Sequence, residues 1–422
     1  MVNLGKFRRR CTLISLQISL ITFLCLSASY SQESPLVKLT KLNDRLYKVT
    51  YNVGYLVNGL ISIGEDGLLL VDTGGKTTVL ELKKQLKLLG YDKPVYIINT
   101  HDHIDHTGGN GAFGKSPVII AHKNLRSRLQ HGVYIVQEYP DAALPDIMVT
   151  DSLSLFFNGE EIRIIALPGS HDDSDIIVHF TTSGIACLGD LAYGMSFPSV
   201  DHRTGNDAKY AEVVKMAINL LPENTTVISG HGRDCTMKDM KQFQKMLEET
   251  TEIVRNALAE GKSVEMMQKE NILKDWTSFN NNEFITTDQW IADLAGDILD
   301  PSPKESLVEP VLIAINEGGA ETGIKKYYEL KKYHKMEYHF HPYRLYQLGN
   351  YLIEKGRLQE AIKILEVNAS EYPGDWLTFD GLGESNYKAG NKKEAIKYYE
   401  ISLKLNPDNP KTIQQLQLLK KK

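Results

Sequence analysis

Cysteine is scarce in this chain: four among 422 residues, at positions 11, 25, 187 and 235. So few cannot form a disulfide framework, so the fold must rest on an apolar core. Two of the four fall in an N-terminal leader; Cys187 and Cys235 are expected as small buried hydrophobes, with a bond between them left open. Neither sign of charge dominates. Lys and Arg number 48 against 53 Asp and Glu, a formal net charge of -5, which gives no basic excess for phosphate and argues against a nucleic acid partner. Tracts of Pro, Gly and Ser long enough for wholesale disorder are also missing, and the composition, 42% hydrophobic and 24% charged, is that of folded globular protein. The length implies two or three domains.

Beyond the first residues there is no long hydrophobic run. Lys6, Arg8, Arg9 and Arg10 precede an apolar stretch at 13–26, and small residues follow around Ser29 and Ser31, the pattern of an export signal spanning 1–31. The stretch is shorter than the roughly 20 apolar residues of a membrane span and is interrupted by Ser15, Gln17 and Ser19. It therefore reads as a cleaved signal, with a mature chain that has no membrane span and resides in a periplasm or outside the cell. Leu24 before Cys25 speaks against lipidation of that cysteine.

From 36 to 255 short apolar runs at 55–63, 67–71, 95–99 and 118–121 alternate with helical patterns at 77–89, 210–221 and 238–259. Such alternation is α/β. From 261 to 304 the sequence becomes polar and irregular, with Pro301, Pro303 and Pro310 near its end, so 256–338 reads as a helical or irregular connector. Beyond it Leu348, Gly349, Ala361 and Pro373 recur 34 residues later as Leu382, Gly383, Ala395 and Pro407. That period and those residues resemble the tetratricopeptide repeat over 339–410, an α-helical domain expected to offer a surface to a protein or peptide partner. Only two units are clear. A degenerate unit at 311–333, or docking on the preceding domain, would have to supply the contacts a third repeat usually provides.

The chemistry concentrates in Thr100-His101-Asp102-His103-Ile104-Asp105-His106, which follows the apolar run 95–99. Three imidazoles and two carboxylates in six positions are ligands of the kind zinc takes, and the absence of cysteine argues against an iron-sulfur or purely structural zinc site. In an extended segment His101 and His103 point one way, Asp105 continues on that side, and His106 points toward a second ion.

The His-x-His-x-Asp-His motif resembles that of the metallo-β-lactamase fold superfamily, and further motifs follow in order: Asp72 in Val71-Asp72-Thr73-Gly74, His171 in Pro168-Gly169-Ser170-His171, Asp190 after Cys187-Leu188-Gly189, and His231 in Ser229-Gly230-His231-Gly232. The resemblance covers 36–255 and implies a four-layer αββα sandwich. It also implies that His101, His103 and His171 bind one metal, Asp105, His106 and His231 a second, and Asp190 bridges them, while Asp72 steadies the ligand loop. Two zinc ions are expected, with one iron or mixed metals as alternatives. Metal-bound hydroxide would attack an ester, thioester, lactone or amide carbonyl of a small molecule, with Asp105 orienting it or carrying its proton. Tyr193, three residues after Asp190, stands where some lactonases of the fold present a tyrosine to substrate.

Two departures qualify the resemblance: Gly-Ser-His-Asp stands where many members read Gly-His-Thr, and Asp190 occupies a position that many true β-lactamases give to Cys or Ser. The second favours thioesterases and lactonases over β-lactamases. The rival readings are a class B-like β-lactamase, an iron enzyme of the sulfur-dioxygenase type, and a repeat-based binding module whose hydrolase domain is secondary. His122 and His202 are expected in loop or helix-cap roles, and Asn224 and Asn368 match the glycosylation acceptor pattern.

Overall fold

A computed structural model describes residues 35–131, 139–280, 285–335, 337–407 and 409–421; the leader at 1–31 lies outside the described residues. Seven strands, β1 (Val37–Lys41), β2 (Leu46–Asn52), β3 (Leu56–Gly64), β4 (Gly67–Val71), β5 (Tyr96–Ile98), β6 (Val118–His122) and β7 (Ile147–Val149), form one sheet in sequence order. Pairing is antiparallel up to β4 and parallel from β4 onward. The second sheet holds β8 (Ser152–Phe157), β9 (Glu160–Ala166), β10 (Ile176–Phe180), β11 (Ile185–Gly189), β12 (Thr226–Ser229) and β13 (Cys235–Thr236), with β11 and β12 its one parallel pair. Helices α1 (Val79–Leu88), α2 (Ile104–Thr107) and α3 (Lys123–His131) intervene in the first half, and α4 (Tyr210–Leu220), α5 (Met237–Ala259), α6 (Val264–Lys269) and α7 (Thr287–Leu299) in the second.

Strand side chains alternate between faces, so a sheet covered on both sides must be apolar on both. In β4 Leu69 and Val71 enter the core between the sheets, whereas Leu68 and Leu70 pack with Val79, Leu82 and Leu86 of α1. In β10 and β11 Ile176, Val178 and Cys187 face the same inter-sheet core, while Ile177, Ala186 and Leu188 join the residues of α4, α5 and α7. The result is the four-layer αββα sandwich. Cys187 and Cys235 lie in different clusters, both buried and unbonded.

The segment expected to be polar and irregular is largely helical. Trp290, Ile291, Leu294 and Ala295 of α7 form a buried stripe against the second sheet's outer layer, and the Trp290 indole donates to Thr250 Oγ1 at 3.0 Å. Their spacing is helical, but Asp293 within the stripe and Gly296 and Asp297 after it mask it. Thr286 caps the helix by accepting from the Gln289 amide.

After β14 (Glu305–Ser306) come α8 (Val308–Gly318) and α9 (Ala320–Tyr333), then β15 (Tyr338–His339), which pairs with β14. The repeats follow as α10 (Pro342–Glu354) with α11 (Leu358–Glu371), and α12 (Trp376–Lys388) with α13 (Lys392–Leu405), capped by α14 (Pro410–Lys421). The 34-residue period has a steric cause. A Cβ on Gly349 would stand 2.5 Å from Leu365 Cδ2, and one on Gly383 would collide with Tyr399, which occupies the position 34 residues after Leu365. Ala361 and Ala395 are fully buried at the same contacts. The hairpin of α8 and α9 shares a core with α10 and α11, which supplies the packing a third unit would give. Asn368 is no glycan acceptor, because it is buried and donates to the Pro342 carbonyl and to Thr378.

Replacing Gly349 with Val should destabilise the repeat region by about 1–3 kcal/mol through overpacking against Leu365. The measurement is the urea midpoint of helical circular dichroism, and an unchanged midpoint would contradict the packing described.

Candidate metal centre

The carboxylate of Asp72 begins the site. The residue follows β4 with φ of 61°, a left-handed conformation that short polar side chains tolerate. Its oxygens accept from the Thr100 amide at 2.9 Å, the Thr100 hydroxyl at 2.7 Å and His106 Nδ1 at 2.8 Å. Since the Thr100 hydroxyl proton is committed to Asp72, its oxygen is left to accept from His101 Nδ1, 3.0 Å away. One acid thus sets the loop and two imidazoles.

The motif loop is not extended throughout. His103 caps α2, a single helical turn that carries Asp105 and His106. That turn sends Asp105 away from the side of His101 and His103, correcting the expectation from strand alternation. His171 sits in the loop after β9, its Nδ1 3.0 Å from Asp175 Oδ1. Asp190 directly follows β11, and the Tyr210 hydroxyl donates to its backbone carbonyl. His231 follows β12, with Nδ1 donating to the Leu56 carbonyl at 2.9 Å. Asn58 binds that loop to β3 by donating to the Ser229 and Gly232 carbonyls. Residue 230 must be glycine, because any Cβ there would strike Asp190 Oδ1.

These anchors leave the other ring edges facing inward. The rings of His101, His103 and His171 form a near-equilateral set, with centroids 4.6 to 4.8 Å apart and planes 81° to 84° to one another. Donor atoms of these three and Asp190 all lie within 4.8 Å of one another, as do those of Asp105, His106 and His231. Asp190 Oδ2 is 3.7 Å from His101 Nε2, 3.5 Å from His171 Nε2 and 3.1 Å from His231 Nε2, and Oδ1 is 3.2 Å from His106 Nε2. So Asp190 touches both groups. The Nε2 atoms of His101, His106 and His171 and Oδ1 of Asp190 are buried without a hydrogen-bond partner. Buried polar atoms are seldom left so.

Electrostatics divide the rings: burial alone would lower His106, His231 and His171, but Asp190 beside the first two and Asp175 beside the third outweigh it and raise all three, so the carboxylates draw positive charge into the site. Burial and the neighbouring His106 hold His101 well below its ordinary pKa, and burial with His171 pushes His103 down to about 3, so both imidazoles are neutral, as ligation requires. Burial alone would raise Asp190; His231, His101 and His106 outweigh it and hold the carboxylate well below its usual range.

Tyr193 donates to Asp190 Oδ2 at 2.8 Å and stacks on His231, with centroids 5.2 Å apart. It also lines a cavity of about 620 Å³ that opens on His103, Asp105, Asp190 and His231. His122 accepts from the Asn124 amide, a cap role, and His202 is paired with Asp207 and Asp297, away from the cavity. The unusual Asp172 after His171 is a turn residue that accepts from the Ser174 amide and hydroxyl and faces Arg128.

Sequence reasoning missed Asp175, Thr100, Tyr55 and Arg344. Asp175 had a signal, a carboxylate four residues after a ligand-type histidine. Tyr55, whose hydroxyl is hydrogen-bonded to Asp105, and Arg344, 3.2 Å from Asp201, come from distant parts of the chain and had none.

Residues 52–231 match the metallo-beta-lactamase superfamily, and 376–409 match the tetratricopeptide repeat. An uncharacterized protein of Aquifex aeolicus is 23% identical over 182 residues, 42% of this chain and 83% of that protein. An N-acyl homoserine lactonase of Bacillus cereus is 30% identical over 112 residues, 24% of this chain and 41% of the lactonase, so the chain spans well under half of that relative. Among solved structures, a metallo-beta-lactamase from Pontibacter korlensis aligns with a TM-score of 0.44 at 17% identity, covering 50% of this chain and 99% of the other.

Asp175→Asn should weaken metal binding about 10- to 100-fold, because His171 loses the carboxylate that orients it. Chelator competition measures this, and an affinity equal to wild type would show that Asp175 does not position the ring.

Proposed function

We propose, from the premise that residues 52–231 belong to the metallo-β-lactamase superfamily, whose members include metal-dependent hydrolases, that the chain is an exported dinuclear zinc hydrolase. His101, His103 and His171 would hold one ion, Asp105, His106 and His231 the other, and Asp190 both. The observation that carries this reading is the convergence of four of the five candidate histidines on the Asp190 carboxylate, with Nε2 buried and lacking a hydrogen-bond partner in three of them and each of the four rings fixed from behind through Nδ1. Imidazole and carboxylate donors without sulfur suit zinc in a catalytic setting. A bound pair of such ions supplies Lewis acidity, which polarises a carbonyl and acidifies water near neutral pH.

The chain's own groups do the rest. Asp105 borders the cavity, 3.8 Å from His106 Nε2 and 3.6 Å from His231 Nε2, placed to accept a proton from water and deliver it to a leaving group. Tyr55 holds that carboxylate through its hydroxyl. Tyr193 faces the cavity and is the substrate-side hydroxyl of the site. The substrate would be a small ester, thioester, lactone or amide. Aspartate at position 190 and the likeness of part of the chain to an N-acyl homoserine lactonase support proposing lactones and related esters ahead of β-lactams. Export rests on the leader at 1–31; among the described residues no helix is long and apolar enough to cross a membrane.

Elemental mass spectrometry of protein purified without added metal should find about two zinc per chain, and fewer in Asp190→Ala. Lactone and ester turnover should vanish on chelation and return with zinc, while nitrocefin stays uncleaved. A single iron would move the reading to oxygen chemistry, and no metal in either protein would end it.

A further inference from the structure

The cavity over the candidate metal residues is closed on its far side by the repeat region. Pro342, Tyr343 and Arg344 at the start of α10, and Pro373, Trp376 and Leu377 around the start of α12, line it opposite Asp105 and Asp190. Its volume, about 620 Å³, is that of a small-molecule pocket.

This wall is anchored to the site. Between β2 and β3, Gly54 has φ of 107°, and a Cβ there would lie 2.5 Å from Trp376 Cη2. Asn406 of the repeats donates to the Gly54 carbonyl at 3.0 Å. The Trp376 ring meets Tyr55 edge-on at 6.5 Å, and Tyr55 is the residue whose hydroxyl reaches Asp105. Arg344 binds Asp201 at 3.2 Å, and Asp201 lies 4.0 Å from His103 Nε2. Trp376, through Tyr55, and Arg344, through Asp201, are therefore each one side chain away from a candidate ligand.

We infer that the repeat region is the specificity wall of the hydrolase, in which Tyr343 and Trp376 receive an apolar or aromatic group of the substrate remote from the bond that is cut. The inference rests on the hydrolase reading and names its substrate class: acyl compounds with an extended apolar tail. The wall's chemistry supports that choice. Tyr343, Trp376, Leu377, Pro342 and Pro373 present apolar surface beside the charged Arg344, Glu371 and Asp375, and that apolar part rewards a tail roughly in proportion to the area it buries. A cavity of this size has no room for a folded partner, so its occupant is a small molecule.

The test is a series of p-nitrophenyl esters from acetate to octanoate with metal-loaded wild type, Trp376→Ala, Leu377→Trp and, as a surface control on α12, Tyr387→Ala. Wild-type kcat/KM should rise about fourfold per methylene until the cavity is full. Trp376→Ala should flatten the rise, mainly through KM, and Leu377→Trp should end it at a shorter chain; Tyr387, exposed, should leave it unchanged. Length dependence preserved in both wall variants, or absent from wild type, overturns the inference. If no ester is cleaved, the hydrolase reading falls separately and calorimetry with octanoate decides the wall: binding weakened at least tenfold by Trp376→Ala supports it, and no binding to wild type overturns it.

Discussion

The rest of the site depends on the carboxylate of Asp72. It sits in a left-handed conformation that costs about 1–3 kcal/mol, and the structure tolerates this because three donors converge on it. Through Thr100 it orients His101, and directly it orients His106. The parallel pairing of β4 with β5 makes this possible, since parallel neighbours bring the loop after β4 and the loop after β5 to the same end of the sheet. An antiparallel pair would have put Asp72 and the histidine motif at opposite ends.

Across the inter-sheet core the second sheet meets this arrangement at one line. Gly189 has φ of 53° and presses on Thr100, so the chain after β11 turns toward the first sheet and delivers Asp190. The loop after β12 is drawn over by Asn58 and by the Leu56 carbonyl. The assembled site gathers seven ionisable side chains into buried space, an arrangement that is costly unless a cation compensates the carboxylates and takes up the idle ring nitrogens. Burial of this kind couples metal affinity to folding: what positions the donors also stabilises the fold once they are occupied.

How much of this was legible in the sequence follows from range. The central strands were readable because sheets covered on both faces need continuous apolar runs, as in 67–71 and 95–99. The repeats were readable because Gly349 and Gly383 answer the same steric demand 34 residues apart. The metal residues were readable as types and as motifs. Strand alternation separated His106 from His101 and His103 but misplaced Asp105, because the single turn of α2 carries Asp105 into the group of His106 and His231. The helix at 287–299 was obscured by polar residues within its apolar stripe. Tyr55, Arg344 and Trp376 carry no local signature, since what makes them part of the site is contact across the whole fold.

Two helical hairpins of this period cannot easily stand alone, and here they gain support from a neighbouring hairpin and from the preceding domain. On one side α8 and α9 extend their core; on the other, Trp376 and Asn406 grip the Gly54 turn while Arg344 grips Asp201. Those same grips close the cavity. The stability of the repeat region and the shape of the cavity are therefore set by one group of contacts, and neither can drift without the other. A side chain at position 54 would push Trp376 outward, loosening the repeats and opening the wall together, whereas a change on the exposed face of α12 would do neither. This coupling explains how a helical extension can be held to the geometry of the candidate metal residues beside it: its own packing enforces it.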